Sequence, residues 1–206
     1  IISMGRWFLP VVCAPSYFYD LHFIAGLMAI IFHGLGAVCI LKMFGVRKNI
    51  TAALIGAFVA TFPTVTSVMM YNYVADGYAL AFLFSCIAAM LITKDNPCYI
   101  GSLVLIALSA GIYQAYITVT IMLLLLSLIL ELIYKNTAVK KVIFKSLKFL
   151  LTGVLGMALY YLVMTVLLKL TGTTLLEYQG LDSAASFKGI DIAGALYTTK
   201  ESFVSY

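Results

Sequence analysis

The sequence predicts an all-α fold, a polytopic transmembrane helical bundle of about six spans. Three observations predict it. Hydrophobic residues make up 64% of the chain and charged residues only 10%, with a mean hydropathy of +1.08; soluble domains carry about a quarter charged residues. The apolar stretches reach lengths that cross a hydrocarbon core about 30 Å thick, and they do so without period-two alternation. In lipid only helices or closed barrels satisfy the backbone, and the missing alternation selects helices. Finally, the charges sort to the ends of these stretches.

Taken in order, the first span runs from Leu21 to Phe44, the second from Thr51 to Met70 and the third from Gly77 to Thr93. The run from Cys98 to Tyr134 is too long for one crossing and divides near Tyr113-Gln114-Ala115-Tyr116, giving spans four and five. Gly111 supplies a flexible point before that turn. The sixth span runs from Leu147 to Leu170. Pro63 lies inside span two, so a kink near Thr61-Phe62 is expected, with Thr61, Thr64 and Thr66 able to re-satisfy freed carbonyls. Ala52, Gly56 and Ala60 recur every four residues on that span, the pattern of a close-packing face.

Nine basic residues follow spans one, three and five: Lys42, Arg47, Lys48, Lys94, Lys135, Lys140, Lys141, Lys145 and Lys148. Arg6, Lys169, Lys188 and Lys200 fall on the opposite side. Nine against four orients the bundle by the positive-inside rule, and joining spans four and five would break that sorting. The Lys-rich loop reads as a topology anchor at an anionic leaflet, so the formal charge of +5 implies no nucleic-acid partner. Among the acids, Asp20, Asp76, Glu177, Asp182, Asp191 and Glu201 fall outside, Asp95 and Glu131 inside.

The chain thus reads as a single membrane domain over 1–206: an outer-face segment 1–20, six spans over 21–170, and an outer-face segment 171–206. In the last, Asp191 caps an amphipathic helix through Ile192, Leu196 and Phe203, lying on the membrane or covering the site. The chain opens within Ile1 to Trp7 and stops at Ser205-Tyr206, which reads as a fragment with further helices before and after it.

The outer segments hold the groups that can do chemistry. They are Gly5-Arg6-Trp7 with Tyr17, Tyr19 and Asp20; Tyr71-Asn72-Tyr73-Val74-Ala75-Asp76-Gly77-Tyr78; Tyr113-Gln114-Ala115-Tyr116; and Glu177-Tyr178-Gln179-Gly180 with Asp182. An interfacial belt accounts for tyrosines and tryptophan one at a time. It does not account for Arg6, Asp76 and Gln114, since an ionisable or amide group at a span end is costly unless wet, paired or functional. The plain alternatives are an N-cap for Asp76 and snorkelling to lipid phosphate for Arg6. Aromatic faces stack on a hexose, and Asp, Asn and Gln bond its hydroxyls; the Arg fork matches phosphate oxygens. Together they suit a sugar linked through phosphate to a lipid.

These residues carry a resemblance. Gly5-Arg6-Trp7, Pro63, Tyr71 to Tyr78 and Gly111-Ile112-Tyr113-Gln114-Ala115-Tyr116-Ile117 resemble, in order and spacing, the bacterial membrane glucosyl transferase family of Gtr type II. The resemblance spans most of the chain, and Tyr178-Gln179-Gly180 fits it less distinctively. It implies a GT-C-like bundle in the bacterial inner membrane. Such an enzyme moves a hexose from a polyprenyl-phosphate donor to a surface glycan such as O-antigen or a wall polymer, on the outer face. The sequence offers no strand-rich nucleotide domain and no phosphate-cradling loop; Gly34-Leu35-Gly36 lies in mid-span. The principal carboxylate of such enzymes lies in the first outer loop, which places it upstream of Ile1.

On this reading Asp76 is the catalytic candidate, orienting the acceptor or acting as auxiliary base, and Arg6 takes the phosphate. Trp7 stacks on sugar or prenyl chain. Tyr71, Tyr73, Tyr78, Tyr113, Gln114, Tyr116, Tyr178 and Gln179 shape the substrate pocket. No cofactor is identified. A divalent metal is compatible with the class, but no residues have its ligand spacing: His22 and His33, eleven apart, are about 16 Å apart along one helix. Cys13, Cys39, Cys86 and Cys98 form no Cys-x-x-Cys pair and read as small apolar filler. The rival class is a transporter or flippase of lipid-linked glycans, to which Pro63 and the short fourth span point. A scaffold would need no Arg6, Asp76 and Gln114 on one face.

Overall fold

The computed structural model describes residues 1–134 and 138–175. Residues 1–173 form one compact unit. Its helices are α1 (Leu9–Phe18), α2 (His22–Met43), α3 (Asn49–Thr61), α4 (Pro63–Met69), α5 (Ala75–Thr93), α6 (Tyr99–Ile112), α7 (Ile117–Tyr134) and α8 (Val139–Thr171). Short 3-10 turns cover Ile2–Met4 and Gln114–Tyr116. No strand occurs among the described residues. The architecture is the all-α membrane bundle that the composition predicts.

Four helices are long and apolar enough to cross a membrane: α2, α5, α7 with its preceding turn, and α8. α3 and α4 together are long and apolar enough for a fifth, and are bent by 50° at the break between them. The bend falls where Pro63 interrupts the helix, since proline offers no N–H and crowds the preceding turn. Hydroxyls bind carbonyls around it: Thr61 Oγ1 donates to Ala57 O at 2.8 Å and Thr66 Oγ1 to Phe62 O at 3.1 Å. The expected fourth span is α6, whose 14 residues measure about 21 Å and fall short of a crossing by length alone. Ala52, Gly56 and Ala60 do not form the expected close-packing face. A Cβ built on Gly56 meets nothing within 4 Å, and α3 buries no residue, because no described helix comes close enough to fill the space that these small residues leave.

α5 is the centre, packed against α1, α2, α6 and α7. Most of its buried positions are small, Ala75, Gly77, Ala79, Ala81, Ser85, Cys86, Ala88 and Ala89 among them. Small side chains let helix backbones approach where lipid supplies no hydrophobic drive between helices. Hydroxyls then bridge the gaps. Ser109 Oγ donates to Ala81 O at 2.9 Å, Ser85 Oγ to Tyr116 O at 2.9 Å, and Ser102 Oγ to Ala88 O at 3.0 Å. Each such bond is worth about 0.6 kcal/mol in a bilayer. Across α2, His33 stacks on Phe82 of α5 with centroids 5.2 Å apart, the helix-packing role its lone mid-span position suggests.

α8 starts at Val139, earlier than expected, because Lys140, Lys141, Lys145 and Lys148 lie on helix and not in a loop. Lysine is a good helix former, so a charge run need not break a helix. Lys145 pairs with Glu131 of α7 at this end. The 33 residues of α8 span about 50 Å. Leu162, Val166 and Leu170, beyond its middle, are exposed and apolar.

The segment 1–20 folds back on the bundle. Pro10 sits in the first turn of α1, where its missing N–H costs nothing. Leu9 and Cys13 of α1 are buried with Ala81, Ile112 and Tyr116. The residues before it pack along α8. The expected amphipathic helix after Asp191 lies outside the described residues.

Candidate functional site

Three stretches far apart in sequence meet at one end of the bundle, opposite Lys94. The first turn of α5 brings Tyr78, and the turn between α6 and α7 brings Tyr113 and Tyr116. The segment before α1 brings Arg6. Tyr78 and Tyr113 stack with centroids 5.1 Å apart. Tyr116 stands 6.4 Å from the Tyr78 ring and 6.0 Å from the Tyr113 ring. Arg6 joins both of the stacked rings. Its Nη1 donates to the Tyr78 hydroxyl at 3.0 Å, and its guanidinium carbon lies 4.6 Å from the Tyr113 ring centroid. A cation over a desolvated aromatic face gains about 2 kcal/mol.

Among the described residues Arg6 has no carboxylate partner; the carboxylate pairs there are Asp20 with His22 and Glu131 with Lys145. A half-buried guanidinium braced by aromatic rings presents a fork that suits a phosphate or carboxylate group.

Asp76 sits elsewhere. It is buried in the first turn of α5 at 6% exposure, and it is not the N-cap, which is Val74. Oδ2 accepts from Ser16 Oγ at 2.7 Å. Oδ1 accepts from the Gly77 N–H at 2.9 Å and from Cys13 Sγ at 3.4 Å. The carboxylate therefore ties α1 to α5 while its charge faces the positive end of the α5 dipole. Cys13 is more than filler: burial and then the neighbouring Asp76 charge push its thiol up to about 12, so it stays protonated and donates.

Trp7 covers Gly111, where a Cβ would lie 2.7 Å from the indole. Only glycine admits the ring so close to α6. The Trp7 Nε1–H is buried and has no acceptor among the described residues. Gln114 turns towards the N-terminal segment: its Nε2 donates to the Tyr160 hydroxyl at 2.8 Å and to Met4 O at 3.4 Å. Tyr71 and Tyr73 form an edge-on pair 6.4 Å apart, each 53% exposed, on the turn between α4 and α5. Tyr178 and Gln179 lie outside the described residues. Among the described residues no three His, Cys, Asp or Glu side chains gather as metal ligands.

Sequence reasoning missed Tyr160 and Ser16. Tyr160 lies within the apolar run of α8, where a buried phenol needs a partner; that demand was the available signal. Ser16 stands three residues after Cys13, one helical step along the same face.

Fold and site together define a polytopic helical membrane protein that presents a fixed cation among aromatic rings at one end. Residues 1–203 match the family described as Glucosyl transferase GtrII, and the chain belongs to that family. Glycosyl transfer is the activity that this membership implies. No curated protein and no solved structure matches the chain.

Proposed function

We propose that the chain moves glucose from a polyprenyl-phosphate carrier to a cell-surface glycan at the outer face of a bacterial inner membrane, within a GT-C-like bundle. The observation that carries this reading is Arg6, held by Tyr78 and Tyr113 with no carboxylate among the described residues to neutralise it. The acceptor hydroxyl oxygen attacks C1 of the sugar. The bond from C1 to the phosphate oxygen breaks, and polyprenyl phosphate leaves with that electron pair. The hydroxyl proton passes to a general base. Arg6 stabilises the charge that grows on the phosphate, while Tyr78 and Tyr113 face the sugar and the buried Tyr116 backs them. Tyr71 and Tyr73 extend that surface towards the acceptor. Asp76, with both oxygens occupied, holds α1 on α5 in this reading and does not serve as the base.

The test is transfer of radiolabel from polyprenyl-phosphate glucose to surface glycan in membranes carrying the protein. Label in the glycan, lost on Arg6→Ala, supports the reading. No transfer from any polyprenyl-phosphate hexose by the folded protein moves the function to a flippase, which the bent α3–α4 span would suit.

A further inference from the structure

The direction of the Arg6 side chain is set by its backbone, and that backbone is clamped on both sides. Tyr160 of α8, 6% exposed, accepts from Gln114 Nε2 at 2.8 Å and donates to Gly5 O at 2.9 Å. Gln114 Nε2 also reaches Met4 O. These carbonyls belong to the two peptide units that immediately precede Arg6. Gly5 has φ +76°, and a Cβ there would lie 2.5 Å from Gln114 Nε2 and 2.6 Å from the Tyr160 hydroxyl. The latch therefore needs glycine twice over, for conformation and for space. After Arg6, the Phe8 N–H donates to Gly111 O at 2.8 Å and Trp7 lies on Gly111.

We propose that Tyr160 and Gln114 are positioning residues that aim the Arg6 guanidinium at the anionic group of the donor, without touching the donor themselves. The inference rests on the reading of Arg6 as a phosphate site. Tyr160 uses its hydroxyl as donor and acceptor within the chain and is buried, which leaves it nothing for a ligand. Gln114, expected to contact sugar, spends its amide N–H groups on Tyr160 and Met4. Removing the Tyr160 hydroxyl leaves Gly5 O without this donor and one Gln114 N–H without this acceptor, a loss that burial makes costly. The turn before Arg6 then loosens and the cation leaves its rings.

The experiment compares Tyr160→Phe with Tyr161→Phe, whose exposed ring makes no hydrogen bond, in membranes carrying the full chain. Arg6 modification by phenylglyoxal, located by mass spectrometry, is expected to quicken about fivefold in Tyr160→Phe only. kcat/KM for the donor is expected to fall about tenfold, with kcat carrying the loss and KM altered less than about threefold, since Arg6 acts on charge that grows in the transition state. In an Arg6→Lys background Tyr160→Phe should add no further loss, since the two act as one unit. Gln114→Leu is read the same way should Tyr160→Phe fail to fold. Unchanged Arg6 modification in a folded variant, or an undiminished loss of kcat/KM in the Arg6→Lys background, overturns the latch. Absence of transfer in the parent protein sinks the functional reading instead, while the phenylglyoxal comparison still decides the latch.

Discussion

The rings of Tyr78 and Tyr113 lie 5.1 Å apart and inclined by 30°, and they hold Arg6 by different means. Tyr78 accepts a hydrogen bond from it, whereas Tyr113 offers a π face. One ring comes from α5 and the other from the α6–α7 turn, so the cation reports on how these two are packed.

Arg6→Ala should lower kcat/KM for transfer by about 10²–10³-fold, the range for removing one charge-stabilising donor. Arg6→Lys keeps the charge but loses the planar fork and its stacking, and should recover only part of the activity. Initial rates over a donor series in membranes check both. Full activity in Arg6→Ala would remove the phosphate site.

Asp76→Ala should destabilise the fold by about 3 kcal/mol, through loss of hydrogen bonds to a buried charge. Asp76→Asn keeps the shape and should retain most of the transfer rate. Detergent unfolding titrations and the transfer assay measure the two quantities separately. A folded Asp76→Asn variant slowed by about 10²-fold or more would restore the carboxylate as a base.

Gly111→Ala should displace Trp7, because the added methyl would stand 2.7 Å from the indole. The expected cost is about 1–3 kcal/mol. Trp7 is the sole tryptophan, so its emission maximum should shift as the indole moves. Unaltered emission with unaltered activity would show that the contact relaxes without consequence.

Cys13 should resist alkylation at pH 8 in the folded protein, while the exposed Cys98 reacts. Its thiol rises from an ordinary 9.0 to about 12 on folding. The native state therefore holds the proton more tightly than the unfolded chain, and stability attributable to Cys13 falls as pH climbs from about 9 towards 12. Maleimide labelling and unfolding titrations at pH 8 and 10 test this, and Cys13→Ser should flatten the difference.

Some of this was legible in the chain. The apolar runs located α2, α5, α7 and most of α8, because span length and end charge are local properties. Pro63 located the bend and Tyr113 the break after α6. Arg6, Tyr78, Tyr113 and Tyr116 were each visible as chemistry-bearing residues at span ends. What the sequence could not supply was which of them meet. A lone carboxylate at a span end makes Asp76 conspicuous, but its partners Ser16 and Cys13 lie on α1, which reads in the sequence only as part of an outer-face segment. Gln114 reads as a sugar contact, and nothing near it in sequence shows that its N–H groups go to Met4 and to Tyr160 on a distant helix. Such pairings depend on how helices rotate about their axes, and no short-range pattern encodes that.

α8 continues eleven residues beyond Tyr160, about 16 Å along its axis, with an apolar flank that suits hydrocarbon. Were a bilayer matched to that flank, its surface would lie above the level of Tyr160, and an anionic headgroup seated on Arg6 would draw that surface down at a cost of about a fraction of a kcal/mol per ångström of mismatch. The thickness of the surrounding membrane would then enter the energetics of this site alongside its side chains.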